Sequence, residues 1–224
     1  MKKLLFVVLF LMYATALVAQ KARVFEHLSP AFAFGNEALV PSVAYTQTLA
    51  LGRQFGFRVN TGIRYTQYML RTDAKLLNTV AAKDRTLTLL DNISNTAINI
   101  PIGIEVGSRL FAVGANADLI GLTIARSRDA SNFEINAGEF PDDLDLIPQG
   151  FNFLITGNGT LNSQGYISIT PNQNLSIKLG LAYTQTTFRT SYPDADDVDN
   201  TISWDSFIEK GFRPFVELQF NFEK

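Results

Sequence analysis

The sequence of 224 residues contains no cysteine and a single histidine, His27. Without cysteine we expect neither a disulfide framework nor a lipid-modified cysteine. One histidine leaves little basis for a histidine-based metal site or a Ser-His-Asp triad. No serine stands in a recognised nucleophile context such as G-x-S-x-G. The residue types therefore predict no catalytic centre, no cofactor and no metal site.

A strong charge of one sign is also missing. The chain has 19 basic and 21 acidic residues, for a net charge of −2. No basic patch stands out, so we expect no nucleic-acid partner. Beyond the first 20 residues, no apolar run reaches the roughly 18 residues that a transmembrane helix requires.

The first residues have the three parts of a secretory signal peptide. Lys2 and Lys3 give a positive start, an apolar run follows over 4–12, and small residues lie around Ala19. We predict a signal peptide over 1–19, with Ala14-Thr15-Ala16 as a second cleavage signal. The mature domain then spans 20–224, and the protein is exported.

The last stretch, 212–222, has the clearest pattern in the chain. Its even positions are all apolar, whereas its odd positions are mostly polar, and a period of two indicates a β-strand. The same division recurs in strand after strand, with charges on the less apolar face. An apolar outer face and a polar inner face are typical of a barrel in a membrane.

The alternation predicts eight strands, with a slip in the fifth near Ile120-Gly121 that suggests a bulge or the membrane edge. Short turns follow the second, fourth and sixth strands, and long links span 72–96, 126–150 and 191–210. The fold class is therefore all-β, a closed antiparallel up-and-down transmembrane β-barrel with short periplasmic turns and long extracellular loops. Leucines in 72–96 suggest a packed cap or strand extensions. The predicted strands cover 27–35, 42–51, 55–70, 98–107, 111–125, 153–170, 175–189 and 212–222.

The inward face collects three basic and three acidic residues. Eight strands enclose only enough space for side chains or one small ligand. Mutual pairing that fills the lumen is therefore favoured over a lumen lined for ions or solutes, although both remain open. The predicted lumen charge network consists of Arg58, Arg64, Glu105, Asp118, Lys178 and Glu217.

Other candidate sites have simpler explanations. Acidic runs over 139–145 and 194–199 lack the spacing of a known calcium loop and are typical of solvated loops. His27 is predicted to lie at the barrel rim. An aromatic girdle at the membrane interface accounts for five residues near the predicted strand tops. They are Tyr65, Tyr68, Tyr183, Tyr192 and Trp204.

The chain resembles the outer-membrane β-barrel domain proteins abundant in Bacteroidota, often labelled PorT-like. The likeness rests on Ala19-Gln20 at the end of the leader, on the strand Asn99-Ile100-Pro101-Ile102-Gly103-Ile104, and on the closing strand with its terminal aromatic. Phe222 is followed here by Glu223 and Lys224, whereas such barrels commonly end on the aromatic. The resemblance implies an eight-stranded barrel in the outer membrane, with some members connected to secretion or gliding.

These patterns predict a non-enzymatic protein of the cell outer membrane with a structural, adhesive or accessory role. Its expected partners are outer-membrane lipids and the outer-membrane assembly machinery. One alternative is a soluble lipocalin-like barrel, which would place its apolar face inward around a small apolar ligand. A lipid-modifying barrel enzyme is a further alternative, but it would need a histidine or serine constellation at the outer rim.

Overall fold

The computed structural model describes residues 23–51, 55–78, 86–127, 133–135, 145–156, 159–193 and 202–222. Apart from one 3-10 turn, Leu154–Thr156, the regular structure in these ranges is all β. No helix within them is long and apolar enough to cross a membrane. The strands are β1 (Arg23–Phe34), β2 (Ala38–Leu51), β3 (Phe55–Leu70), β4 (Lys75–Asn78), β5 (Thr86–Leu89), β6 (Ile93–Ser108), β7 (Phe111–Ile124), β8 (Phe133–Ile135), β9 (Asp145–Pro148), β10 (Phe151–Phe153), β11 (Leu161–Asn172), β12 (Leu175–Pro193) and β13 (Ile202–Phe222).

Eight of these strands close into an antiparallel barrel. They pair in the order β13-β1-β2-β3-β6-β7-β11-β12, and β12 pairs with β13 to complete the circle. Closure removes the free edges that an open sheet would expose. The predicted eight-stranded antiparallel barrel is thereby confirmed, with five short strands added to it. We call the end with the turns at 109–110 and 173–174 the turn end, and the opposite end the cap end.

Strand β6 shows why these sequences form a barrel wall. Its residues alternate strictly between buried and more accessible positions from Ile93 to Ser108. The inward positions carry residues such as Asn99 and Glu105, while the outward positions carry isoleucines such as Ile102 and Ile104. This period of two sets the pairing register, because a shift by one residue would exchange the two faces.

The predicted slip in the fifth strand is a β-bulge. Ile100 of β6 pairs with Ile120, whereas Pro101 pairs with Asp118, so Leu119 is the extra residue on β7. A bulge is one of the few places where a sheet accepts a proline, which has no N–H to donate. Beyond the bulge, the even positions of β7 face outward, and the strand keeps its apolar outer surface.

Several strands begin earlier than predicted, as β1, β2 and β6 do, and two predicted segments differ more strongly. The sixth strand does not run over 153–170, because β10 ends at Phe153, a 3-10 turn follows, and β11 begins at Leu161. Gly159 has φ +84°, a left-handed conformation that interrupts a strand. Leu161, at the start of β11, is buried. The predicted link 191–210 is mostly strand, since β12 continues to Pro193 and β13 begins at Ile202.

Beyond the barrel rim, short strands extend β12 and β13 into a cap sheet with the order β8-β5-β4-β13-β12-β9. Strand β4 pairs with Phe207 and Ile208, and β9 pairs with β12 from Phe188 onward. Within 72–96, where a packed cap or strand extensions were predicted, the described residues include the short strands β4 and β5 of this sheet, and Leu77 and Leu90 are exposed. The buried face of the cap consists of Leu76, Leu87, Leu89, Phe133, Leu146, Phe188 and Phe207.

The polarity of the two faces reverses along β12. Near the turn end, Lys178 is buried inside the barrel, and the adjacent Leu179 is exposed outside. Near the cap end, Phe188 is buried inside, and the adjacent Arg189 is exposed outside. Strand β13 reverses in the same way, from Glu217 and Leu218 near the turn end to Phe207 and Lys210 near the cap end. One part of the molecule is therefore polar inside and apolar outside, and the other part is the opposite.

Candidate functional site in the barrel interior

The six charged residues predicted for the lumen face inward and form three ion pairs. Two pairs join residues directly opposite each other on neighbouring strands, because the register aligns Arg58 with Glu105 and Lys178 with Glu217. The third joins Arg64 on β3 to Asp118 on β7, across the intervening strand β6. The ion pairs are Arg58–Glu105, Arg64–Asp118 and Lys178–Glu217.

Asp118 lies at the centre of the network and is fully buried. Its Oδ1 accepts a hydrogen bond from Arg64 Nη1 at 2.8 Å, and its Oδ2 accepts from Asn99 Nδ2 at 2.8 Å and from the Asn162 backbone N–H at 3.0 Å. Arg64 also donates to Asn116 Oδ1 at 2.7 Å. A buried ion pair offsets its desolvation cost only when its other donors and acceptors are also satisfied. The surrounding amides meet that requirement here.

Amide side chains continue the network towards the cap end. Asn152 Nδ2 donates to Asn99 Oδ1 at 2.8 Å, while Asn152 Oδ1 accepts from Thr123 Oγ1 at 2.6 Å and from the Thr160 N–H at 2.8 Å. Asn152 thus attaches the short strand β10 to the barrel interior. The charge-based prediction missed it because neutral amides carry no pattern beyond their place between Phe151 and Phe153.

The second buried pair includes an aromatic contact. Lys178 Nζ lies 2.9 Å from Glu217 Oε1 and 4.7 Å from the centroid of the Tyr166 ring. A cation above a ring face is attracted by the ring quadrupole. Tyr166 in turn packs edge-to-face against Phe215, with ring centroids 6.4 Å apart. These contacts hold the lysine in one position inside the wall formed by β11, β12 and β13.

A fourth ion pair, which the sequence prediction missed, separates the lumen from the cap core. Glu209 accepts hydrogen bonds from Arg213 and from the Tyr68 hydroxyl, and that hydroxyl also lies 2.9 Å from Thr184 Oγ1. All four side chains are buried. Tyr68 therefore does not belong to the predicted aromatic girdle. Glu209 was missed because its segment was assigned to a loop, although its four-residue spacing from Arg213 places both on one face of a strand.

Little space remains between these side chains. A void beside Arg64 and Lys178, also lined by Asn60, has a volume of about 10 Å³. That is about the smallest space that holds one water molecule. Among the described residues, no three histidine, aspartate or glutamate side chains are grouped to hold a metal ion. The paired charges and amides can fix the strands relative to one another.

The remaining predicted positions have separate outcomes. His27 is buried and faces inward near the turn end, with its Nδ1 2.8 Å from Asn221 Oδ1. Tyr65 is exposed on the outer face, and Tyr183 packs against Phe212 at a centroid distance of 5.1 Å. Asp145 is exposed at the start of β9. The signal peptide 1–19, the rest of both acidic runs, and the side chains of Tyr192 and Trp204 lie outside the described residues.

Comparison with known proteins adds no further assignment. No protein-family model matches the chain, and no curated protein matches it significantly.

Proposed function

We propose that this chain is an outer-membrane β-barrel protein with a side-chain-filled lumen and without catalytic activity. Its role is structural, adhesive or accessory, and the cap is the part that partners at the cell surface would meet. Membership of the PorT-like group, with the secretion-related role that this group suggests, is part of the proposal. It rests on the sequence features given above.

The observation that carries the proposal is an apolar belt around the outside of the barrel. On β13 the belt runs from Phe212 to Phe222, and ten residues at about 3.3 Å each, tilted by roughly 35–45°, span about 23–27 Å. The apolar band of outer-membrane barrels is about 25 Å tall. Among the described belt residues of the eight strands, Glu26 is the one charged residue that faces outward, and it lies near the turn end.

The reversal of polarity along β12 and β13 supports the same proposal. A barrel wall must be apolar outside where it meets lipid, and polar outside where it meets water. The change from Leu179 to Arg189 on the outer face fits a strand that leaves the membrane towards the cap end. The cap would then lie outside the cell and the turn end in the periplasm, which is the usual orientation of such barrels.

The soluble lipocalin-like alternative is less well supported. It requires an apolar interior with room for a ligand, whereas the described lumen is lined by paired charges and amides around a void of about 10 Å³. It would also expose a belt of large apolar side chains to water, which soluble monomers rarely do. A lipid-modifying enzyme would need a nucleophile or histidine constellation at the outer rim, and His27 lies near the turn end.

Cell fractionation followed by gel electrophoresis tests the proposal. We expect the protein in the outer-membrane fraction, with an unheated band that migrates differently from the boiled band, because a stable barrel resists detergent. Recovery in the soluble periplasmic fraction would overturn the proposal and favour the lipocalin-like alternative. Extraction of a bound apolar ligand from that soluble material would then be the next measurement.

A further inference from the structure

A groove lies at the turn end, where the seam between β7 and β11 reaches the rim. One wall is the turn after β6, with Arg109 and Leu110, and the other wall is the end of β11 with the turn after it. The Thr170 N–H donates to the Leu110 carbonyl at 2.9 Å and fixes the two walls together. The groove is wide and open at the surface, so it could contact a headgroup on one side without enclosing it.

The groove lining combines polar residues with the apolar Leu110 and Pro171, and Phe111 follows Leu110 outside the lining. Arg109 is exposed, and no ion pair of the described residues involves it. Among the residues that the structure describes, the groove lining contains no acidic side chain, and Asn172 and Gln173 add side-chain amide donors. Towards the belt, Leu110 and Phe111 are exposed, 66% and 51% respectively. Their exposed apolar surface would face acyl chains if the belt is embedded in lipid.

We propose that this groove binds the headgroup of an anionic phospholipid of the periplasmic leaflet, with the phosphate at Arg109 and an acyl chain along Leu110 and Phe111. The inference rests on the proposed membrane location. Arginine is a good phosphate partner, its positive charge favours a headgroup of net negative charge, and free phosphate would leave the apolar Leu110 without a contact. A second protein chain would gain little from a lone cation beside lipid-facing residues.

The test uses the full-length barrel in nanodiscs that contain equal amounts of phosphatidylglycerol and phosphatidylcholine. Native mass spectrometry measures the two lipids that stay bound after release. We expect wild type to retain phosphatidylglycerol preferentially and Arg109→Gln to lose about fivefold of that preference, the typical contribution of one arginine near an anionic surface. Arg23→Gln is the matched control, since Arg23 is exposed at the same end on β1, four strands away in either direction around the barrel.

Three results would overturn the inference. They are an unchanged preference in Arg109→Gln, an equal loss in Arg23→Gln, and displacement of the bound lipid by millimolar inorganic phosphate, which would reduce the site to a general anion site. Leu110→Asn should weaken retention while leaving Arg109 in place, which separates lipid binding from phosphate binding. The heat-dependent gel-shift assay is run on each variant as well. A protein that forms no membrane barrel shows no shift there, so failure of the proposed function is distinguished from failure of lipid binding.

Discussion

Arg64 reaches across strand β6 to Asp118, with its Nη1 atom 2.8 Å from the carboxylate Oδ1. The two residues lie on β3 and β7, which do not pair with each other. The ion pair therefore ties together strands that the backbone ladder connects only through a third strand. Both side chains are almost completely buried. Disturbing one partner should consequently affect the whole barrel, and not only a local contact.

We predict that Asp118→Asn lowers the free energy of unfolding by about 3–5 kcal/mol, because it leaves the Arg64 guanidinium buried without a counter-charge. Urea titration in lipid vesicles measures this free energy, with loss of the compact gel band as the readout of unfolding. Arg58→Gln is the comparison: the Arg58 side chain is 25% exposed, so water reaches its pair with Glu105 and the loss should be smaller than for Asp118→Asn. Equal effects of the two substitutions would contradict a central role for the buried pair.

Lys178 and Glu217 should behave as a coupled unit. Lys178→Met and Glu217→Gln each strand one buried charge, whereas the double variant removes both charges together. We predict that the double variant is more stable than the sum of the single effects implies, with a coupling energy of about 1–3 kcal/mol. A double-mutant cycle from the same urea titrations gives this value. Strictly additive effects would mean that the 2.9 Å contact contributes nothing to stability.

Leu179→Arg tests whether the outer face meets lipid. Leu179 lies in the middle of the belt on β12, where an arginine should cost about 2–4 kcal/mol if the surrounding medium is a bilayer. Thr96→Arg is the matched control, because Thr96 faces outward on β6 beyond Ile98, near the upper limit of the belt, where the cost should fall to about 0–1 kcal/mol. Folding yield into vesicles and urea stability measure both variants. If Leu179→Arg costs no more than Thr96→Arg, this face does not contact lipid.

Much of the barrel could be predicted from the sequence, since period-two alternation fixes which residues face inward. This explains why Arg58, Arg64 and Lys178 lie in the lumen with their acidic partners. The alternation also predicted an irregularity near Ile120-Gly121, next to the observed bulge at Leu119. Opposite charges that face inward in a narrow barrel lie close enough together to form ion pairs.

The cap and its boundary could not be predicted in the same way. Beyond Tyr183 and Phe212, the outward positions of β12 and β13 carry polar residues such as Arg189 and Lys210, so the apolar-outside pattern that identifies the barrel strands ends there. The sequence pattern therefore did not identify Glu209 as an inward residue. Asn152 was not predicted as a network residue because its role depends on the pairing of β10 with β7 at Gly121. The local sequence pattern does not encode this long-range contact. Propensity and periodicity describe a strand, whereas the partner of a three-residue strand is set by tertiary packing.

Gly159 should tolerate no side chain. Its φ of +84° is left-handed, and a Cβ there would lie 2.1 Å from Asn152 Oδ1. We predict that Gly159→Ala costs at least about 1–2 kcal/mol through its backbone conformation, and more if Asn152 is displaced from its hydrogen bonds. Gly165→Ala on β11 is the matched control, because a Cβ there meets nothing within 4 Å. Urea stability compares the two, and a neutral Gly159→Ala would show that the turn adjusts freely.

The cap and the barrel should unfold separately, because their cores have opposite character. Phe207 is completely buried in the apolar core of the cap, whereas the lumen below is held by ion pairs and amides. We predict that Phe207→Ala removes about 3–5 kcal/mol from the stability of the cap, and that the cap opens locally while the barrel persists. Limited proteolysis in vesicles should then cleave the variant within the cap, and the remaining fragment should keep its heat-dependent gel mobility. Leu77→Ala, on the exposed face of the same cap sheet, should leave protease resistance unchanged. Simultaneous loss of the cap and of the compact barrel band in Phe207→Ala would show that the two cores form one cooperative unit. The polarity reversal along β12 and β13 would then not separate two regions of different stability.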